Sequence, residues 1–169
     1  MELKYNGSEK KIYTNYKNIE LDKEIYIDFH KFKSNGTNIF FPHNNISKTH
    51  NNLGVYCIDR EGKVTTLETK DEVVETCVSL DGSLLAIVLL NGSIELWNAN
   101  TLEYIKTIYN NAIVRDYPQS IMCIDKNNKR IALYYEDHIS VFGINNNDRY
   151  RIRYGKDLLS IRFNTQGNK

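Results

Sequence analysis

The chain has 169 residues, of which 41% are hydrophobic and 25% charged, and its formal net charge is +1. That length suits one domain with a packed core, and the balanced charge gives no general attraction to nucleic acid or membrane. No run of about 18 apolar residues occurs, and the start from Met1 to Lys11 is polar, so neither a transmembrane helix nor a signal peptide is predicted. We therefore expect a soluble, cytoplasmic protein, with a nuclear location left open.

The predicted elements are all strands. The segment 1–23 is a polar leader that adds at most one strand, near Lys11–Asn15. After it come short runs of Ile, Val, Leu and Tyr separated by Asn, Asp and Gly turns, a pattern typical of β-hairpins. In chain order the predicted strands are Glu24–Phe29, Asn38–Phe41, Leu53–Ile58, Lys63–Glu68, Val74–Leu80, Leu84–Leu90, Ser93–Asn98, Glu103–Ile108, Ser120–Asp125, Arg130–Tyr135, His138–Ile144, Arg149–Tyr154 and Leu158–Phe163.

The strand pattern repeats along the chain. An offset of 46 residues places Ala86 on Ala132, and an offset of 45 places Ile94–Trp97 on Ile139–Phe142. Leu53–Tyr56 takes the matching place 41 residues before Ile94–Trp97. Units of this length with four strands each are typical of β-propeller blades.

One unit has an Asp-Gly turn, an apolar strand containing Ala86, an Asn-Gly turn and then the letters I-E-L-W-N. In these features it resembles the WD40 repeat family. The sequence departs from the family at Asn98, where the second signature letter is Asp, and no G-H dipeptide precedes any blade. The residues that match the structural positions of the repeat are Asp81, Gly82, Asn91, Gly92, Trp97 and Asn98. The resemblance implies a WD40-like β-propeller, which in that family is usually a rigid platform for protein partners.

Length limits how much of a propeller this sequence can form. We expect an all-β chain of about three four-stranded antiparallel blades, over 24–70, 71–112 and 113–156, with the start of a next blade over 157–169. A closed ring needs at least four blades of roughly 40–45 residues. The ring is therefore predicted to be incomplete. Either the chain is a fragment of a longer propeller, or a partner or second copy completes it.

The cysteines predict no disulfide framework and no thiolate zinc site. Cys57, Cys77 and Cys123 are odd in number, widely spaced, and none lies in a C-x-x-C pair. Each has apolar neighbours in the sequence, where cysteine acts as a small hydrophobic residue. We expect three core thiols.

No motif predicts an enzyme, a metal or a cofactor. His43 and His50 are the only close histidines, and they fall in the polar stretch Pro42–Asn52, which we interpret as a solvated loop. Neighbouring carboxylates such as Asp59 with Glu61 lie in turns between strands, whereas acid–base catalysis needs an enclosing pocket. Nucleophile-elbow, phosphate-loop and dinucleotide motifs are absent from the sequence.

The segment Arg149–Tyr154 alternates strictly and carries two interpretations. As a strand, it places Arg149, Arg151 and Arg153 on one face and two tyrosines with Ile152 on the other. It is either a solvated outermost blade strand or an anion-binding patch. The second interpretation resembles the phosphoinositide-binding propellers, whose F-R-R-G motif is matched here at Arg153 and Gly155 only.

The predicted function is a non-catalytic WD-repeat-type scaffold or adaptor that binds other proteins within a larger complex. Propellers suit this function because loops from several blades form one broad surface on a rigid body. The candidate contact residues in those loops are Asn91, Tyr135, Glu136 and Asp137. The alternative is a phosphoinositide- or anion-binding propeller that uses the Arg149, Arg151 and Arg153 strand. Nucleic acid is disfavoured as a partner because the basic stretch from Lys4 to Lys17 carries too few cations for a nucleic-acid arm.

Overall fold

The computed structural model describes residues 4–6, 11–13, 18–20, 32–47, 50–109, 121–135, 137–146, 148–153, 158 and 160–164. The regular structure in these ranges is β-strand, and none of them contains a helix long and apolar enough to cross a membrane. The strands are β1 (Lys4–Asn6), β2 (Lys11–Tyr13), β3 (Asn18–Glu20), β4 (Lys33–Ser34), β5 (Ile39–Ser47), β6 (His50–Ile58), β7 (Val64–Glu68), β8 (Val73–Val78), β9 (Leu84–Leu89), β10 (Ser93–Asn98), β11 (Tyr104–Tyr109), β12 (Ile121–Ile124), β13 (Arg130–Tyr135), β14 (His138–Gly143) and β15 (Arg149–Arg153).

Three four-stranded antiparallel sheets form the body of the structure. Each sheet contains consecutive strands paired in sequence order: β4–β7 is the first blade, β8–β11 the middle blade and β12–β15 the last blade. The first strands of neighbouring blades lie beside one another, because β8 contacts both β4 and β12. This arrangement confirms the predicted fold class, with three propeller-type blades and no closed ring in the ranges given above.

The middle blade is covered on both faces along its strand β9. All six residues of this strand are buried. Leu84, Ala86 and Val88 pack in a cluster with residues of the last blade. The alternate residues of β9 pack instead with the first blade, in a cluster that includes Phe40 and Val55. A strand covered on both faces reads as a continuous apolar run, as the sequence L-L-A-I-V-L does. Burying each large side chain stabilises the fold by about 1.5–3 kcal/mol.

The 46-residue offset extends to all three blades at the turn between their first two strands. Gly36, Gly82 and Asn128 occupy this turn at φ values of +91°, +72° and +55°. Glycine and asparagine are the residues that adopt such left-handed backbone with least strain. The next strands keep the same offset, since Ala86 pairs with Cys77 as Ala132 pairs with Cys123.

The third strand of the first blade lies in a different register from the predicted one. Ile39 pairs with Ile58, whereas Trp97 pairs with Leu85, the residue 46 positions after Ile39. Ile58 is therefore the counterpart of Trp97, and the alignment of Tyr56 with Trp97 is wrong by two residues. The error arose because the β5–β6 hairpin is longer than its counterparts, so the offset changes across it.

The predicted solvated loop Pro42–Asn52 is instead a continuation of that hairpin. β5 runs to Ser47, β6 begins at His50, and the two strands pair along their whole length. His43 is 5% exposed and therefore buried. The Asn-rich sequence concealed the strands, because asparagine is depleted in strands on average and is typical of turns.

Both ends of the chain differ from the prediction. The leader forms three short antiparallel strands, β1, β2 and β3, where at most one was expected. Residues 158 and 160–164 belong to no strand, so the predicted strand Leu158–Phe163 is wrong for the residues described there. Phe163 nonetheless lies close to the Cys123 thiol, so this segment lies beside β12. The predicted strand Glu24–Phe29 lies outside the described residues.

Candidate functional site

Turns from all three blades meet on one rim of the structure. Because the strands of each blade alternate in direction, the turn between strands one and two lies at the same end as the turn between strands three and four. We call this end the turn rim. Its turns span 34–39, 58–64, 78–84, 98–104, 124–130 and 143–149.

The first and middle blades are joined on the turn rim by two asparagines. The Asn35 amide donates to the carbonyl oxygens of Ala99 at 2.9 Å and Gly82 at 3.2 Å. Asn38, which is buried, donates to the same Ala99 oxygen at 3.0 Å. These bonds satisfy backbone acceptors of the middle blade with side chains of the first, so the two blades are fixed in register.

The middle and last blades are joined by Asp81 and Asn128. The Asn128 amide donates to Asp81 Oδ2 and to Ser83 Oγ, both at 2.9 Å. Asp81 Oδ1 also accepts from Ser79 Oγ at 2.6 Å and from the Ser83 backbone N–H at 3.0 Å. The Ser79 hydroxyl, followed by the Ser83 N–H, holds the pKa of Asp81 well below its usual range.

The remaining residues of the repeat motif form turns within the middle blade. Asn98 Oδ1 accepts from the backbone N–H groups of Asn100 at 2.9 Å and Thr101 at 3.0 Å. The amide oxygen thus does what a carboxylate oxygen would do there, and the departure from Asp leaves the turn intact. Asn91 Oδ1 accepts from the Ser93 N–H at 2.9 Å, and the adjacent Gly92 has φ +80°.

Trp97 makes a local hydrogen bond. Its indole N–H donates to Glu95 Oε2 at 3.2 Å, and Glu95 is buried. The ring meets Tyr104 edge-on, with 5.5 Å between ring centroids. Trp97 therefore fixes the outer strands of the middle blade to one another.

The arginine strand is the outermost strand of the last blade, as predicted, and all five of its residues are exposed. Arg149 lies over the Phe142 ring at 5.5 Å and Arg151 over the Tyr135 ring at 5.9 Å. Arg153 Nε donates to Asp137 Oδ2 at 3.1 Å. Each arginine thus already contacts a group of its own blade, and an anion would have to compete with that contact.

The other predicted contact residues are placed differently. Tyr135 is 1% exposed and so cannot be a loop contact, because β13 carries it into the core between the middle and last blades. Asp137 is partly buried between two side chains: it forms an ion pair with Arg153 and contacts the ring nitrogen Nδ1 of His138. Glu136 and Gly155 lie outside the described residues.

His43 and His50 do not form a pair. The two residues lie on different strands and at different register positions, because His43 pairs with Gly54 and His50 pairs with Ser47. The His43 ring stacks on Tyr56 at 4.1 Å, and its Nε2 is 3.0 Å from the Tyr56 hydroxyl. Burial raises the pKa of Tyr56. Across the described part of the chain, no group of three or more His, Cys, Asp or Glu residues could hold a metal ion.

Two of the three thiols lie in the core, as expected, whereas the third lies at its edge. Cys57 and Cys77 are buried, and Cys123 is half-buried on β12. Burial raises the pKa of both Cys57 and Cys77 to about 12, and that of Cys123 to about 11. Such thiols stay protonated at neutral pH and are poor nucleophiles.

The turn rim carries a groove that the sequence did not predict. It measures about 550 Å³ and is lined by Leu80, Cys123, Ile124, Lys126, Arg162, Phe163 and Asn164. The sequence predicts Leu80 at the end of a strand, whereas it lies in the turn after β8 and is 86% exposed. The sequence does contain one indication of this placement. Leu80 directly precedes an Asp-Gly pair, and such pairs are typical of turns.

Comparison with known proteins supports the fold. No protein-family model and no curated protein matches the sequence. Among solved structures, the crystal structure of RRP9 WD40 repeats has a TM-score of 0.59 and 14% identity, over 79% of this chain and 40% of that one. The structure of U3-55K has a TM-score of 0.60 and 13% identity, over 80% of this chain and 42% of that one. The chain thus spans about two fifths of these neighbours. It has the fold of a WD40-type β-propeller, with three four-stranded blades and no closed ring in the part that the structure describes.

Proposed function

We propose that the chain is a non-catalytic, WD-repeat-type scaffold that binds other proteins through the turn rim as part of a larger complex. The observation that carries the proposal is the row of side-chain hydrogen bonds from Asn35 to Ala99 and from Asn128 to Asp81. They hold turns of three blades as one surface, so little conformational entropy is lost when a partner binds. The WD40-type fold supports the same function at a general level.

The non-catalytic part of the proposal rests on how the polar groups are used. Asp81 and Asn98 direct their oxygens into turns, and the Glu95 carboxylate accepts from Trp97. Catalytic carboxylates must instead face a substrate pocket. The motif residues are therefore fully accounted for by the fold.

Cross-linking of the native complex tests the proposal. Lys63, Lys126 and Lys129 are exposed on the turn rim, whereas Lys70 is exposed on the opposite rim. The complex would be purified through a tag on this chain and treated with an amine-reactive cross-linker. Cross-links to partners should concentrate on the turn-rim lysines. A chain that purifies alone, or cross-links that favour Lys70, would contradict the proposal.

Completion of the ring is a further part of the proposal. The three four-stranded blades among the described residues fall short of the four that a ring needs. Further sequence, a partner or a second copy would supply the missing blades. Light scattering on the purified chain distinguishes a self-completing dimer from a monomer that needs a partner. The cytoplasmic location stays a prediction from the sequence.

One observation favours the anion-binding alternative. Arg149 and Lys106 line a cleft of about 430 Å³ between the middle and last blades, together with one carboxylate, Asp148. Vesicles containing a phosphoinositide test it: binding that is lost in Arg149→Glu would support the alternative. No binding by the wild type would leave the scaffold as the sole proposal.

A further inference from the structure

The Leu80 groove combines an exposed apolar side chain with an apolar floor. Leu80 is 86% exposed, more than any other large hydrophobic residue in the described part of the chain. It stands beside Ile124 and Phe163, and both belong to the groove lining. Apolar surface exposed at a concave site is where covering by a partner gains the most free energy.

The turn holds Leu80 in a fixed position. The Ser79 N–H donates to the Leu84 carbonyl at 2.9 Å, and the Gly82 N–H donates to the Ser79 carbonyl at 2.9 Å. Asp81, the next residue, is bonded to Ser79 and Asn128. Leu80 is therefore presented to solvent by a rigid turn that bonds to the last blade, and a partner need not order it.

The charged groups that line the groove are all cationic. Lys126 occupies the position 46 residues after Leu80, so the equivalent turns of two blades supply one apolar and one basic residue. Arg162 adds a second cation, and no carboxylate is among the lining residues that the structure describes. The Asp81 carboxylate is nearby, but it accepts hydrogen bonds from its own turn and from Asn128. This charge distribution complements an acidic segment.

We propose that the Leu80 groove binds a short partner segment in which an apolar side chain is flanked by acidic ones. The apolar side chain covers Leu80, Ile124 and Phe163, while the acidic ones approach Lys126 and Arg162. The proposal rests on the scaffold function and specifies the chemistry of its partner. It assigns the groove to another protein rather than to a second copy of this chain or to a lipid surface.

Fluorescence anisotropy with the full chain and three short labelled peptides tests the proposal. The first peptide has a central Leu-Phe pair flanked by Asp and Glu; the second replaces the Leu-Phe pair with serines, and the third replaces the acids with lysines. Only the first should bind, and its affinity should fall as salt is raised from about 0.05 to 0.5 M, since exposed charges are screened.

Matched variants locate the binding to the groove. Leu80→Ser should weaken binding of the first peptide about tenfold or more, and Lys126→Glu at least about threefold. The controls are Ile105→Ser, which removes a 50% exposed residue of the outer strand β11, and Lys70→Glu on the opposite rim. Both controls should bind as the wild type does. Circular dichroism melts confirm that all four variants fold.

Each other outcome overturns the proposal. If the serine peptide binds as tightly as the first peptide, the binding is nonspecific electrostatic attraction. Loss of binding in Lys70→Glu would lead to the same conclusion. Light scattering that shows a dimer dissolved by Leu80→Ser would assign the groove to a second copy. Binding of none of the peptides at millimolar concentration would remove the groove as a peptide site, while cross-links on the turn-rim lysines would still support the scaffold.

Discussion

Single residues on the turn rim combine two tasks, forming their own turn and holding the neighbouring blade. Asn35 accepts from the backbone N–H of Asn38 through its oxygen while donating through its nitrogen to Ala99. Asp81 accepts from Ser83 and from Asn128. An ordinary turn needs only the first task, so the sequence indicated the turns but not the contacts between blades.

Asn128 allows those two tasks to be separated. Asn128→Gly keeps the left-handed backbone and removes the bonds to Asp81 and Ser83, so we expect a loss of about 1 kcal/mol in the free energy of unfolding. Asn128→Ala also strains the backbone and should cost about 1 kcal/mol more. Urea denaturation measures both values. Equal stability of Asn128→Gly and the wild type would show that the bond between blades contributes nothing.

The thiols give a prediction at the same scale. Because burial raises the pKa of Cys57 and Cys77 to about 12, their thiolate fraction at pH 8 should be roughly a thousandfold below that of a thiol at the ordinary pKa. Cys123, with a pKa of about 11, should react first of the three. Reaction with a disulfide reagent should be slow in the native protein and fast after unfolding. Rapid reaction of all three native thiols would contradict their burial.

Among the elements, those with an apolar run between clear turn residues could be predicted, and those set by long-range pairing could not. β9, β10 and β13 have such runs, and their predicted and observed bounds agree within one residue. The distal half of the β5–β6 hairpin reads as asparagine-rich polar sequence and forms strands because the two segments pair with each other. The segment after Leu158 has a strand-like sequence, but its described residues pair in no ladder. Pairing between distant segments thus decided both cases: it formed strands from a polar sequence, and without it a strand-like sequence formed none.

Both Gly54 and Gly36 of the first blade have positive φ, at +158° and +91°, and at Gly54 a steric clash is added. A Cβ at Gly54, within β6, would overlap the carbonyl oxygen of Leu67 on the paired strand β7. No atom lies within 4 Å of the corresponding position at Gly36, where only the positive φ disfavours a side chain. We expect Gly36→Ala to cost about 1 kcal/mol and Gly54→Ala at least about twice as much.

Thermal melts of these two variants against the wild type give the comparison. If Gly36→Ala proves more destabilising than Gly54→Ala, the result would contradict the close approach of β6 and β7 at Gly54. The Trp97 emission reports on the neighbouring middle blade, because it is the only tryptophan of the chain. Its transition shows whether the damage spreads beyond the first blade.

In the molecule as a whole, three blades stack so that the inner strand β9 of the middle one is covered on both faces. The sequence predicted the blades from their period, and the 46-residue spacing of Gly36, Gly82 and Asn128 corresponds to one blade each. The groove beside Leu80 could not be predicted, because it forms where the middle blade, the last blade and the segment at Phe163 meet. Surfaces shared between blades depend on how the blades pack, and no single repeat encodes them.

Hydrogen exchange measured by mass spectrometry tests this stacking most directly. β9 pairs with strands on both sides and is covered on both faces, whereas β15 is an exposed edge strand. Stacked blades predict that the amides of Leu84–Leu89 exchange slowest among the described strands and those of Arg149–Arg153 among the fastest. Exchange of β9 as fast as that of β15 would contradict a middle blade enclosed by its neighbours.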